Sequence, residues 1–223
     1  MLKFYRYHFV RRLWFLPAIA VWTYSMLSPF LETKKLGVFI AGMENMLMLP
    51  AYLLSIFVLT NQAEMEFSKC YGFGITRLCL AQVGPYLFST ILAMGGAVVL
   101  FPLSAVGVTA YQRFLIFASA AINVFALVAI AVFVRVLIRN LFGALGFELI
   151  FYYLVSSRYY DVEKGQSIFN YYFSLGGMAQ QMNNRLPMSD FYINRLVVLA
   201  FGIAFTVGAI LLMNKQNYSE GEL

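Results

Sequence analysis

The side chains able to do chemistry in this chain fall into two groups, separated by their surroundings. Three polar residues sit inside apolar sequence: Glu44 in AGMENMLML, Asn123 in ASAAINVFAL and Glu148 in LFGALGFELIFYYL. A lone carboxylate in hydrocarbon costs about 3 kcal/mol, so both acids should face protein or a wet cavity. Glu44 is expected in the outer half of its apolar stretch, where snorkelling, hydrogen bonding and a functional role are all open. Glu148 is expected nearer mid-membrane. It has either a functional or subunit-contact role, or a structural one as a polar bond or a protonated acid. The second group lies in the polar stretch TNQAEMEFSKCYGFGITRLCLAQ: Glu64, Glu66, Lys69, Gly72, Gly74 and Arg77. Early acids favour a helix N-terminus, and glycines between short helical pieces allow a sharp bend. This pattern predicts a short amphipathic helix, a turn, and Arg77 at the entry to the next apolar element.

Much familiar chemistry is missing from the sequence. No G-x-x-x-x-G-K-[ST] occurs, so ATP is not bound through a P-loop by this chain. The single histidine, His8, lies in the basic N-terminal segment, away from any membrane-embedded serine. There is no H-E-x-x-H, and Glu64-Met65-Glu66 is not the adjacent pair of CAAX-type intramembrane proteases. Cys70 and Cys79 form no CxxC and have no histidine beside them, which removes zinc and disulfide-framework readings. No catalytic residue and no metal ligand set is assigned.

The elements that must position these residues are apolar and long. The chain has 223 residues, 61% hydrophobic and only 12% charged. About six apolar stretches, at 13–31, 36–61, 78–101, 114–134, 141–156 and 196–213, approach the roughly 20 residues that a helix needs to cross a bilayer. The expected fold is therefore all-α: a polytopic membrane protein forming one transmembrane domain over 1–223. A proline at 102 stops the third span, and Arg135 and Arg139 sit in a very tight turn between the fourth and fifth. Gly202, Ala204 and Gly208 on the sixth are small enough for close helix packing.

The net charge of +6 does not point to nucleic acid, because the basic residues are spread over the span ends. Lys3, Arg6, Arg11 and Arg12 crowd the start, which places both termini in the cytoplasm by the positive-inside rule. The first span is too long for a signal-peptide core and is expected to be retained. In this orientation 62–77 is a cytoplasmic segment and 157–195 an extracytoplasmic loop, on whose far side Asn194 and Arg195 make a polar step into the last span. Tyrosines around that loop suit the head-group level. Its apolar piece at 167–175 is too short to span, and fits a re-entrant or interfacial helix ended by Gly176-Gly177.

This layout resembles a small permease subunit of the ABC-2 type of ATP-binding-cassette exporters. The resemblance covers nearly the whole chain. It rests on six spans with both termini inside, on Glu64, Glu66, Lys69, Gly72, Gly74 and Arg77 between spans two and three, and on a helical segment before the last span. Gly74-Ile75-Thr76-Arg77 stands where that family often has a proline. The resemblance implies that the 62–77 segment is a coupling helix that docks on a separate ATPase subunit. It implies ATP and magnesium on that subunit and no cofactor in this chain. It implies a second permease subunit, identical or different, with the lipid bilayer around both in the cell membrane. Cargo could be a peptide, a lipid-like molecule or a drug. Two alternatives stay open: the substrate-binding membrane subunit of an energy-coupling-factor importer, and an intramembrane enzyme using Glu44 or Glu148. For the importer, Leu16-Pro17-Ala18-Ile19-Ala20 would be the docking stretch.

Overall fold

The computed structural model describes residues 48, 51–53, 55, 75–100, 109–138, 140–155 and 188–221. Among them the chain is all-helical, with no strand. Four helices account for most of these residues: α1 (Ile75–Leu100), α2 (Ala110–Ile138), α3 (Leu141–Val155) and α4 (Met188–Gly221). Residues 51–53 and 55, within the second apolar stretch, are helical too. Two helical stretches, Ala110–Ile138 and Tyr192–Lys215, are long and apolar enough to cross a membrane, with mean hydropathies of 2.6 and 2.7. Val83–Gly96 and Leu141–Tyr152 are shorter apolar stretches. The 15 residues of α3 rise about 22 Å, less than a bilayer core.

Local sequence explains where the helices begin and end. α1 is described through Leu100. Pro85 lies inside α1 and removes one backbone donor. One turn later Ser89 donates to the Pro85 carbonyl at 2.7 Å, and Thr90 donates to the Tyr86 carbonyl at 3.0 Å, so both hydroxyls are satisfied within their own helix. α2 opens with a reciprocal capping box: the Gln112 amide donates to Thr109 Oγ1 at 3.2 Å, and the Thr109 amide donates to Gln112 Oε1 at 2.9 Å. The turn from α2 to α3 is as tight as the sequence predicts. Asn140 Oδ1 caps α3 by accepting the Phe142 amide at 2.9 Å.

α2 is the centre of the packing. Some 56% of its apolar window is buried, against 22% for α4. Its contacts also fix the helix directions. Tyr111, at the start of α2, shares a hydroxyl hydrogen bond with Tyr192, near the start of α4. Phe125 and Ala126 lie against Gly202, and Phe133 lies against Gly208 and Phe205. The pairs advance together along both helices, so α2 and α4 run parallel. α1 runs the other way: Gly95, near its end, meets Phe117 in the first half of α2. A chain that leaves α2 at one end of the bundle therefore enters α4 at the other.

Gly202 and Gly208 explain the close approach of α4. A Cβ built on Gly202 would stand 2.7 Å from Phe125 Cε1 and 3.1 Å from the Ala126 Cα, and one on Gly208 would stand 3.0 Å from Phe133 Cε2. Ala204, expected to join them, is exposed on another face of α4. Residues 188–195, at the end of the expected 157–195 loop, form the first two turns of α4 and run on without a break into the last apolar stretch. They stay helical although polar because Asn194 and Arg195 find partners on their own helix and on α2.

Candidate functional site

Two buried polar clusters interrupt the apolar packing. In the first, Asn123 on α2 and Arg195 on α4 meet, each nearly or fully removed from solvent. Arg195 Nη1 donates to Asn123 Oδ1 at 2.7 Å, and its Nε and Nη2 donate to Asn194 Oδ1 at 3.1 and 2.7 Å. Arginine suits this place because its planar fork carries several donors that two amide oxygens can share. The cluster ties the parallel pair together about one turn beyond the Tyr111–Tyr192 contact on α4 and about three turns beyond it on α2. Asn123 was legible from sequence as a polar residue in a span. Arg195 and Asn194 were read as a step at the water's edge. The signal that could have joined them is an arginine on the side that the expected topology, by the positive-inside rule, disfavours.

The second cluster surrounds Glu148. Its side chain is fully buried, and neither carboxylate oxygen has a hydrogen-bond partner. Tyr52, also fully buried, has an unpartnered hydroxyl. Tyr52 and Tyr86 both lie close enough to Glu148 to interact with its charge. The Tyr86 hydroxyl donates to the Ala51 carbonyl, which ties α1 to the 51–53 stretch. The Tyr52 ring lies 6.3 Å from the rings of both Phe151 and Tyr152 on α3. Three separate parts of the chain thus converge on one acid. The sequence reading singled out Glu148 and missed Tyr52 and Tyr86. Their signal was a tyrosine well inside an apolar stretch, where the hydroxyl needs a partner that the head groups cannot supply.

A third feature is apolar. A crevice of about 110 Å³ opens where α1, α2 and α4 meet, with Val128, Ala129 and Val132 as its floor. Its walls come from Val83, Gly84 and Leu87 on one side and Ala209, Ile210 and Met213 on the other. The Thr206 hydroxyl at its edge is already used, donating to the Gly202 carbonyl at 2.8 Å.

Among the described residues no group of three or more His, Cys, Asp or Glu side chains gathers to hold a metal ion. Of the expected coupling residues, Arg77 lies in the first turn of α1. Glu64, Glu66, Lys69, Gly72 and Gly74 lie outside the described residues, as do Glu44 and the 167–175 piece. No hydrogen bond joins Glu148 to Asn123, so the described intramembrane polar residues belong to two clusters rather than one site. No family model, curated protein or solved structure matches the chain.

Proposed function

We propose that the chain is a membrane-spanning permease subunit of an ATP-driven exporter of the ABC-2 type. It would cross the cell membrane six times with both termini in the cytoplasm, form the translocation path as a dimer, and draw energy from a separate ATPase subunit. The observation that carries the reading is the direction of the helices. α1 opposes α2, and α4 runs parallel to it, as the third, fourth and sixth crossings of such a chain must. α3, leaving the tight turn after α2, supplies the return.

The mechanism follows from mechanical continuity. The 62–77 segment leads directly into α1, whose first turn carries Arg77. A push from the ATPase would reach α1 at its end and travel along a stiff helix of 26 residues. α1 leans on α2 through Gly95 and Phe117, and α2 carries α4 through Gly202 and Gly208. Packed helices of this kind tilt as bodies rather than deform, which is how a small push becomes an opening between subunits.

The test is isolation of the chain from its native membrane in mild detergent, with mass spectrometry and an ATPase assay. A stoichiometric P-loop ATPase is expected. The double variant Glu66→Lys, Arg77→Glu should insert normally and lose coupling. Normal ATP-driven transport by that variant would sink the coupling assignment. A chain that purifies alone would favour the intramembrane enzyme, for which the buried, unpartnered Glu148 is the specific candidate.

A further inference from the structure

Glu148 has no part in the mechanical scheme, yet it is the most unusual side chain in the structure. Buried polar groups are ordinarily paired, and a set left unpaired asks for a functional explanation. Here the set comprises two carboxylate oxygens and the Tyr52 hydroxyl, all in fully buried side chains of one neighbourhood. Together they offer acceptors for donors carried by something else. The surroundings narrow what that is. Phe147 and Phe151 stack with centroids 6.1 Å apart and planes 9° apart, and the Tyr52 ring adjoins Phe151 and Tyr152. A carboxylate among aromatic rings suits a cation with N–H groups. The acid takes charge-assisted hydrogen bonds, and the ring faces attract the positive charge. Buried without a partner, the acid holds its proton while the site is empty. An entering ammonium ion displaces that proton to water and leaves a carboxylate–ammonium pair, which neither an anion nor a neutral alcohol can form. Beside Glu148 on α3, Phe147 is 44% exposed and stacks on Phe151 one turn later, an apolar track next to the acid.

We propose that Glu148 and Tyr52 form a recognition site for the ammonium head of a hydrophobic amine, whose tail rests on the α3 surface at Phe147 and Phe151. As a statement about cargo this rests on the permease reading, and it names the class: amphiphilic organic cations. The site is closed in this conformation, because Glu148 has no exposure. Entry requires α3 to part from Tyr52, a motion of the kind that helix tilting supplies.

The experiment uses the full chain, with whatever subunits accompany it, in phosphatidylcholine nanodiscs. Saturable binding of tritiated dodecylamine is measured at neutral pH, without ATP, with dodecanol and dodecanoate as competitors. Dodecylamine should bind and resist both competitors. Glu148→Gln should weaken it by about tenfold or more, the loss of one charge-assisted contact. Tyr52→Phe keeps the ring and should weaken it by about threefold. Unchanged binding in Glu148→Gln, or equal competition by dodecanol, would overturn the site. A pH-driven conformational change lost in Glu148→Gln without any amine binding would make the ligand a proton and equally overturn it. The readout needs no ATPase, so amine binding without a partner ATPase would sink the permease reading alone. A bound ATPase without amine binding would sink this site alone.

Discussion

Replacing Gly202 with alanine asks whether α4 is seated on α2 as closely as the contacts require. The added methyl would meet the Phe125 ring at 2.7 and 2.8 Å and the Ala126 Cα at 3.1 Å. The ring can shift, but the backbone contact cannot be relieved without moving a helix. Overpacking of this kind costs about 1–3 kcal/mol. Alanine for glycine inside a helix also returns up to about 1 kcal/mol of propensity, which obscures a single measurement. Gly96→Ala supplies the control. It lies in α1, and its built Cβ meets nothing within 4 Å, so it collects the propensity term without the clash. The difference between the two variants isolates the contact and should be about 1–3 kcal/mol, with Gly202→Ala the less stable. Unfolding by a graded SDS fraction in mixed micelles, followed by circular dichroism, measures it. Phe125→Leu should recover part of the loss in the Gly202→Ala background and little in the Gly96→Ala background, since only the first pair is in contact. Equal stability of the two alanine variants would refute the parallel seating of α4 on α2 and the helix directions drawn from it.

Two other outcomes are expected, besides the coupling-segment and amine-binding results above. Asn123→Ala removes the Oδ1 that accepts from Arg195 Nη1 at 2.7 Å and should cost about 1–2 kcal/mol in the same unfolding assay. Tyr111→Phe, at an exposed position, should cost less than about 0.5 kcal/mol, and equal losses from the two variants would count against the buried cluster as the principal tie. In a chain with Cys70 and Cys79 replaced by serine, single cysteines at 109 and 192 should react with an impermeant maleimide from one side of the membrane. Those at 140 and 215 should react from the opposite side, and labelling of 109 and 215 from the same side would exclude two parallel crossings.

Much of the helical layout was legible because its causes are local. The expected third stretch, 78–101, corresponds to α1 at Ile75–Leu100. The fifth, 141–156, became Leu141–Val155, introduced by the cap at Asn140. Asn194 and Arg195 look like water-facing residues until their partners are known, so the sequence showed a polar step there and not a buried cluster. The capping box at Thr109 and Gln112 was written in the sequence as T-x-x-Q and was passed over, since no apolar pattern calls attention to it. Of the candidate site, Asn123 and Glu148 stood out as polar residues in apolar surroundings, whereas Tyr52, Tyr86 and Arg195 did not.

By itself the sequence determined where apolar runs begin and end, which polar residues they enclose, and that the 223 residues contain no P-loop motif. Those are properties of consecutive residues, set by transfer free energy and backbone geometry. Only the tertiary structure decided that Asn123 answers Arg195, that Gly202 and Gly208 rather than Ala204 admit α2, and that Glu148 shares its burial with Tyr52. The reason is that hydropathy records whether a side chain prefers to leave water and carries no record of what it will meet. The partner is set by helix direction and rotation, which emerge only when whole helices pack.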